Sequence, residues 1–220
     1  MSRHGVKQVQ ESIPQDVPSR IDLREMSDAL EWERRSNEVR PFRYEVFDFF
    51  AAEIASHPAP VATILELGSG PGFLAQRLMS ELSDVSYVAL DFSKAMHELA
   101  RARLGALADR VEFVVVDFRD PKWSAELSSF DCIVTLQAVH ELRHKRHATA
   151  LHRQAKALLS DGGLYLVCDH FVGDGGMQNG ELFMTVNEQR SALVEAGFSR
   201  VDRRLVVGSV ALHRATTVIA

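Results

Sequence analysis

Three acidic residues each stand directly after an apolar run of strand length: Glu66, Asp91 and Asp117. The carboxyl ends of parallel strands meet at one edge of a sheet, which is where an open α/β fold binds its ligand. Carboxylates at this edge accept hydrogen bonds from hydroxyl groups, such as those of a ribose. The three residues together predict a ligand site at this edge more strongly than any one of them alone.

A glycine-rich turn joins the first apolar run to a helical segment. Glycines stand at 68, 70 and 72, and apolar residues at helical spacing begin at Phe73. Glycine suits a backbone that needs positive φ or must approach a ligand, and the helix that follows adds partial positive charge. The spacing G-x-G-x-G differs from the dinucleotide fingerprint G-x-G-x-x-G, whose third glycine belongs at Phe73. Because Glu66 precedes this turn, the sequence favours a cationic ligand over a pyrophosphate.

At these residues the sequence resembles the class I S-adenosylmethionine (SAM) dependent methyltransferases. The first motif of that family is an acid, any residue and then G-x-G-x-G, matched here by Glu66 to Gly72. The segment LDFSKAMHELAR resembles the family's D-x-S pattern before a helix, and LSDGG resembles L-x-x-G-G before a later strand. The resemblance covers about 41–220 and implies SAM as the cofactor.

The resemblance also implies which residues hold the donor. Asp117 is expected to accept a hydrogen bond from the adenine amino group, and Phe118 to pack on the ring. Met96 is expected either against the adenine or in the helix core. The cofactor-binding residues predicted in this way are Glu66, Gly68, Ser69, Gly70, Gly72, Asp91, Phe92, Met96, Asp117, Phe118, Gln137 and Arg43.

Helical segments upstream of the glycine turn carry cations that could reach the same ligand. Arg40, Arg43 and Tyr44 are candidates to bind the methionine carboxylate or the acceptor. The more ordinary interpretation of these arginines is a surface salt bridge with nearby glutamates.

Histidines at the ends of the fourth and fifth strands are the candidates for catalysis. A hydroxyl acceptor needs a general base of near-neutral pKa, which histidine supplies. His140 is the first candidate base, followed by His170 and Asp169, although His140 could instead cap the next helix. Methyltransferases that act on adenine or on glutamine amides usually carry two prolines and an aromatic residue at this strand tip. No such motif follows Gln137, so the resemblance disfavours an amide or a base nitrogen as the acceptor. The predicted activity is therefore methyl transfer to an oxygen or nitrogen of a small molecule.

Other activities stay open as alternatives. They are an RNA or protein methyltransferase of the same fold, a SAM-binding protein without catalysis and, less favoured, a dinucleotide-dependent oxidoreductase. A further histidine run on a predicted helix at 143–159 is interpreted as a solvated basic face: His144, His147 and His152. No cysteine or carboxylate cluster completes a metal site there, so no metal is predicted.

Composition narrows the class of protein. The chain has 220 residues, 46% of them hydrophobic, and a net charge of −5, which disfavours nucleic acid bound through a broad basic face. Cys132 and Cys168 lie in apolar runs and are predicted to be buried thiols. The sequence lacks an apolar run of membrane-spanning length and an apolar signal core, so we expect no membrane partner and a cytoplasmic location. A homodimer stays open.

Two parts of the chain are expected. Residues 1–40 form an N-terminal arm and helix that help cover the active site, and 41–220 form the SAM-binding domain. The glycine-rich loop at 171–180 is expected beside the substrate mouth, and two β-rich runs at 200–218 are expected to form a terminal hairpin. The predicted fold class is α/β: a Rossmann-like three-layer sandwich with a mostly parallel sheet and a terminal antiparallel hairpin strand.

Overall fold

A seven-stranded sheet runs through the computed structural model, which describes residues 15–217. Residues 1–14 of the predicted arm and Val218 of the predicted last strand lie outside the described residues. The strands are β1 (Thr63–Leu67), β2 (Ser86–Asp91), β3 (Val111–Val115), β4 (Phe130–Leu136), β5 (Leu159–His170), β6 (Arg200–Val207) and β7 (Val210–Thr216).

The strand order is β3-β2-β1-β4-β5-β7-β6. β1 to β5 pair in parallel, whereas β7 is antiparallel to both β5 and β6. The order reverses between β1 and β4, and this is the point where an open α/β sheet forms its ligand crevice. The predicted fold class is confirmed, including the antiparallel hairpin strand at the end of the chain.

Six helices surround the sheet in the described part of the chain. They are α1 (Met26–Ser36), α2 (Arg43–Ala55), α3 (Phe73–Glu81), α4 (Lys94–Leu104), α5 (Ala148–Ala157) and α6 (Val186–Glu195). Alternate strand residues point to opposite faces, so Ile64 joins the core with α2 and α3, whereas Leu65 joins the core with α5 and α6. α1 lies on α4, where Ala29 packs with Ala95 and Met96. The result is the predicted three-layer sandwich with α1 added at its edge.

The predicted helix at 143–159 was wrong at its start. Arg143 has a φ of 67°, which an α-helix cannot contain, and α5 begins only at Ala148. Two short 3₁₀ helices, Val139–Leu142 and Lys145–His147, fill the interval after β4. The first of them holds His140 at the carboxyl end of β4.

Two other boundaries differ from those that the sequence patterns predict, which are a fifth strand from Leu164 and a helix from Glu181. The glycine turn at 160–163 lies within β5, because the pairing of Phe130 with Leu159 extends the strand before a register irregularity. α6 begins at Val186, not at 181, because Thr185 and Glu188 form a reciprocal capping box there.

Candidate active site

A cavity of about 770 Å³, part of it open to solvent, lies at the carboxyl ends of β1, β2, β4 and β5. Most of the residues predicted for the site line it: Arg43, Glu66, Gly68, Ser69, Gly70, Asp91, Phe92, Met96, Phe118, Gln137, His140 and His170. The structure therefore brings residues from six separate stretches of the sequence to one place.

The glycine turn brings its backbone close to neighbouring elements. Gly68 has a φ of 70°, and a Cβ there would lie 2.3 Å from the Cβ of Ala138. Gly72 has a φ of 77° and packs against Ala100 of α4, so it supports the turn from outside the cavity wall. The Gly70 amide donates to Asp91 Oδ2 at 2.8 Å. This bond fixes the turn to the end of β2.

Glu66 is buried at the base of the cavity. Its Oε2 accepts a hydrogen bond from the Tyr87 hydroxyl at 2.8 Å. Burial raises the pKa of Glu66 to about 8, an effect that the Tyr87 hydrogen bond opposes and the Asp91 charge reinforces. A cation in the cavity would compensate the cost of ionising this carboxyl group.

Asp91 is also buried, at the end of β2. Its Oδ2 accepts from Gly70 and its Oδ1 accepts from the Ser93 amide at 2.9 Å. Burial raises the pKa of Asp91 to about 6, although these amide hydrogen bonds oppose the shift. Each carboxylate oxygen keeps a further lone pair that a ligand hydroxyl can use.

Asp117 lies beside the cavity and does not line it. The Arg119 guanidinium is 2.6 Å from Asp117 Oδ2, and the Arg24 guanidinium is 3.5 Å from the same oxygen. Burial acts to raise the pKa of Asp117, but the hydrogen bonds and charge of Arg119 hold it below its ordinary value. A contact between Asp117 and adenine stays a prediction, whereas Phe118 next to it does line the cavity.

Phe92 and Met96 both line the cavity. Met96 is also buried against Ala29 and Ala95, which is the helix-core position predicted for it as the alternative, and its contact with adenine stays a prediction. The Arg24 guanidinium lies over the Phe92 ring, 4.6 Å from its centroid.

His140 and Asp169 form a close pair at the carboxyl ends of β4 and β5. His140 Nδ1 is 2.7 Å from Asp169 Oδ1, and the His140 backbone amide donates to Asp169 Oδ2 at 2.8 Å. His140 Nε2 lies 3.4 Å from Glu141 Oε1. Asp169 is buried and does not line the cavity, whereas His140 does.

The charges around the pair decide its protonation. Burial acts to lower the pKa of His140, but the charges and hydrogen bonds of Asp169 and Glu141 raise it to about 10. Burial acts to raise the pKa of Asp169, but His140 holds it below its ordinary value. Asp169 therefore favours the tautomer of His140 that carries the ring proton on Nδ1. When the His140 ring is neutral, its lone pair is on Nε2.

His170 is the neutral partner of this pair. Its Nδ1 is 2.8 Å from Ser209 Oγ, and its Nε2 is 2.9 Å from the Gln137 amide nitrogen. Burial and the nearby His140 lower the pKa of His170 to about 4. Because both ring nitrogens are engaged, His170 is poorly placed to take a proton from a substrate.

Arg43 reaches the same group of side chains from the start of α2. Its Nη1 donates to Gln137 Oε1 at 2.9 Å, and its guanidinium lies 5.4 Å from the Trp32 and Phe73 ring centroids. The Nε atom of Arg43 is buried and has no hydrogen-bond partner in the described part of the chain. Burial and the nearby Arg40 lower the pKa of Arg43 to about 10. The interpretation of Arg43 as part of a surface salt bridge is therefore wrong.

Gln137 has a φ of 55°, a conformation that L residues rarely adopt. Its backbone amide donates to the Cys168 carbonyl at 2.7 Å, which holds it against β5. The side chain joins Arg43 to His170. Strain of this kind is tolerated where the surrounding contacts fix the backbone.

The solvated basic face predicted for the histidine run was wrong for two of its three members. His144 is buried with its Nε2 2.9 Å from Glu181, and His152 is buried with its Nδ1 3.0 Å from the Tyr165 hydroxyl. His147 is partly exposed and pairs with Asp16. Within residues 15–217 there is no group of three or more histidine, cysteine or acidic side chains arranged to hold a metal.

Several wall residues were not identified from the sequence as part of the site: Leu23, Trp32 and Phe73. Leu23 lies in an N-terminal segment that Arg143 fixes through hydrogen bonds to the Val17 and Pro18 carbonyls. The only signal for it was the expected role of residues 1–40 as a cover. The loop at 171–180, expected at the substrate mouth, contributes no residue to this cavity.

Cys132 and Cys168 are free and buried, as predicted. Among the helices of residues 15–217, none combines the length and the apolar character needed to cross a membrane.

Residues 64–163 match the family model described as a methyltransferase domain. A malonyl-(acyl-carrier protein) O-methyltransferase of Geobacter sulfurreducens is 31% identical over 154 residues, which make up 64% of this chain and 57% of that protein. A highly reducing polyketide synthase of Emericella nidulans is 32% identical over 120 residues, which make up 52% of this chain and 5% of the synthase. The chain thus spans only part of the length of these relatives.

The fold is similar to that of human N-acetylserotonin methyltransferase in complex with SAM. The TM-score is 0.65 at 16% identity, and the match covers 89% of this chain and 57% of that one. Residues 64–163 therefore form a methyltransferase domain, and these relatives support the class I SAM-dependent methyltransferase family that the sequence resembles. S-adenosylmethionine is the cosubstrate of that family.

Proposed function

We propose that this protein transfers the methyl group of SAM to an oxygen of a small-molecule acceptor, with His140 as the general base. The observation that supports it best is the His140–Asp169 pair, whose imidazole lines the same cavity as Glu66 and Asp91. Methyl transfer to a neutral amine needs alignment of the reactants and no such base, so this pair favours an oxygen acceptor.

The cavity fits SAM through its unsatisfied charges. The buried Glu66 carboxyl would pair with the methionine ammonium group, and the unpartnered Nε of Arg43 would serve the methionine carboxylate. Asp91 has lone pairs for the ribose hydroxyls, and Met96 and Phe118 offer apolar surface for the adenine. When bound, SAM supplies a methyl group that its positively charged sulfur has already activated.

The chain's own residues then position the acceptor and remove its proton. His140 Nε2 takes the hydroxyl proton as the acceptor oxygen attacks the methyl group. The Nδ1–H group of His140 stays hydrogen-bonded to Asp169. His140 must be neutral to do so, and its raised pKa makes the neutral form scarce at pH 7. A cationic sulfonium in the same cavity disfavours the imidazolium and so lowers the pKa of His140 toward the working pH. Activity is therefore expected to rise with pH.

A second candidate is methyl transfer to an acidic carbon. The match to a polyketide synthase favours it, because polyketide chains contain carbons between two carbonyl groups. His140 would remove the carbon-bound proton in the same way. The two candidates share the donor site and the base and differ only in the acceptor.

Binding tests the donor, and product formation tests the base. Calorimetric titrations with SAM, NAD and NADP are made on the wild type and on Asp91→Ala. Release of S-adenosylhomocysteine is then measured with phenols, carboxylic acids, amines and β-ketoesters. Of the three cofactors, we expect only SAM to bind the wild type, and we expect Asp91→Ala to lose this binding. Phenols or carboxylic acids should be methylated.

The base is tested with His140→Gln, and His147→Gln, outside the cavity, is the matched control. Loss of a general base lowers kcat by about 10²- to 10⁴-fold, whereas the affinity for SAM should stay within about twofold of the wild type. Binding of a nicotinamide dinucleotide in place of SAM would refute the donor assignment. Wild-type turnover by His140→Gln would refute the role of the base, and turnover of β-ketoesters alone would favour the carbon acceptor.

A further inference from the structure

Arg40 supplies the cavity with a second cation, which has no carboxylate partner among residues 15–217. It lines the cavity just before α2, and its side chain is half-buried. No ion pair or side-chain hydrogen bond joins it to another of residues 15–217, and burial alone accounts for the lowering of its pKa. Arginines removed from water are normally paired with an acid.

The two arginines of the cavity lie close enough to influence each other, and both lie near His170. Arg43 is within the electrostatic reach of Glu66 and is joined to His170 through Gln137. The charge of Arg40 acts on Arg43 and on His170, whose ring lies 5.5 Å from that of His140. The cavity therefore holds two neighbouring cations beside the ring that borders the proposed base.

The charges of the donor do not satisfy both cations. SAM carries one carboxylate, which Arg43 can take, and its sulfonium adds positive charge to the cavity. The acidic wall residues have other partners: Glu141 pairs with Arg143, Asp91 accepts from the Gly70 and Ser93 amides, and Glu66 is assigned to the ammonium group of the donor. An anion on the acceptor would compensate Arg40.

We propose that the acceptor is a carboxylate-bearing small molecule and that Arg40 is the residue that recognises its carboxylate. This inference rests on the proposed methyltransferase activity and adds the substrate class. Arginine suits the role because its planar guanidinium binds a carboxylate through two parallel hydrogen bonds. Arg40 is thus a specificity-determining residue, separate from the base and from the donor site.

Binding of matched probes tests the proposal without knowledge of the natural acceptor. The probes are 4-hydroxybenzoate, 4-hydroxyphenylacetate and 3-hydroxybutyrate, each compared with its uncharged amide in the presence of S-adenosylhomocysteine. Quenching of Trp32, which lines the cavity, reports binding, and calorimetry confirms it. We expect at least one carboxylate to bind tenfold or more tightly than its amide.

Three variants assign that preference to a residue. Arg40→Met removes the charge at similar length, Arg40→Lys keeps the charge, and Arg34→Met on α1 is a matched control at an exposed ion pair with Glu31. Arg40→Met should bring the carboxylate and the amide to equal affinity while the Kd for SAM stays within twofold. Arg40→Lys should restore part of the preference, and Arg34→Met should leave it unchanged.

The outcomes separate the two proposals. Equal binding of every carboxylate and its amide by the wild type would overturn the acceptor class. Loss of SAM affinity in Arg40→Met with an intact carboxylate preference would overturn the role of Arg40 and assign it to the donor. Failure of the wild type to bind SAM would instead refute the proposed function itself.

Discussion

Replacement of Asp169 by asparagine tests whether the charge of this residue holds His140 in its protonated form. Asp169 is buried and accepts hydrogen bonds from His140 Nδ1 at 2.7 Å, from the His140 amide at 2.8 Å and from the His170 amide at 2.7 Å. Asparagine would keep the shape of the side chain but lose its charge. Its NH₂ group would replace one of the two oxygens that now accept hydrogen bonds, and would there face an N–H donor.

The size of the effect follows from the burial of the pair. Loss of one opposite charge at hydrogen-bond distance lowers a histidine pKa by roughly 1 to 3 pH units. We expect a fall of this size from the value of about 10 for His140. Breaking a buried ion pair by removal of one partner costs about 3–5 kcal/mol in the free energy of unfolding.

The pH range of the stability loss follows from the direction of both pKa shifts. His140 has a pKa raised above the ordinary value of 6.5, so its contribution is complete below pH 6.5 and disappears toward pH 10. Asp169 has a pKa below the ordinary value of 3.8, so its contribution is present above that pH. The difference between wild type and Asp169→Asn should be largest between these limits and shrink as the pH rises toward 10.

The assay needs no acceptor. Titration of the ¹⁵N-labelled imidazole of His140 by NMR gives its pKa, and urea unfolding at pH 5.5, 7 and 9 gives the stability. Asp202→Asn, at an exposed pair with Arg200, is the control and should cost less than about 1 kcal/mol. An unchanged His140 pKa in Asp169→Asn, or a stability loss no larger than that of the control, would refute the reasoning.

Three further perturbations test the donor side of the cavity. Below pH 8 the affinity of the wild type for SAM should rise by up to about tenfold per pH unit, because binding requires the ionised Glu66 carboxylate. Glu66→Gln should remove this pH dependence, which calorimetry from pH 6 to 8 measures. Gly68→Ala, with its Cβ 2.3 Å from that of Ala138, should cost about 1–3 kcal/mol of stability and abolish SAM binding, whereas Gly180→Ala has open space and should do neither. Arg43→Met should leave thermal stability unchanged or raise it, because the substitution removes an unpaired buried charge. The same variant should bind SAM at least about tenfold more weakly. A large loss of stability with unchanged SAM affinity would contradict both expectations.

The strands and the donor corner could be predicted because their signals are local. An apolar run followed by Glu66 or Asp91 specifies a buried strand and the residue at its tip without any knowledge of distant parts of the chain. The glycines at 68 and 72 similarly report backbone geometry that is set within a few residues. The order of these local patterns was enough to predict the fold class and the edge of the sheet that holds the cavity.

The surroundings of the histidines could not be predicted because they depend on residues far apart in sequence. His144 is buried and pairs with Glu181, and His152 is buried against Tyr165, which lies on β5. In the sequence these two histidines stand among lysines and arginines, so composition indicated an exposed face. The left-handed residue Arg143 ends the preceding turn, so that His144 lies before α5, whereas His152 lies on the buried face of α5 with Leu151 and Ala155.

The two active-site histidines show why residue type at a strand tip does not determine a chemical role. His140 and His170 lie 5.5 Å apart, yet the first has a pKa of about 10 and the second of about 4. His140 meets two carboxylates, whereas His170 meets the uncharged Gln137 and Ser209. With one positive charge on His140, a second on His170 would be strongly unfavourable. The pair therefore divides into a proton carrier and a neutral hydrogen-bonding partner, and the partition follows from the position of Asp169, whose side chain bonds the ring of His140 and only the backbone of His170.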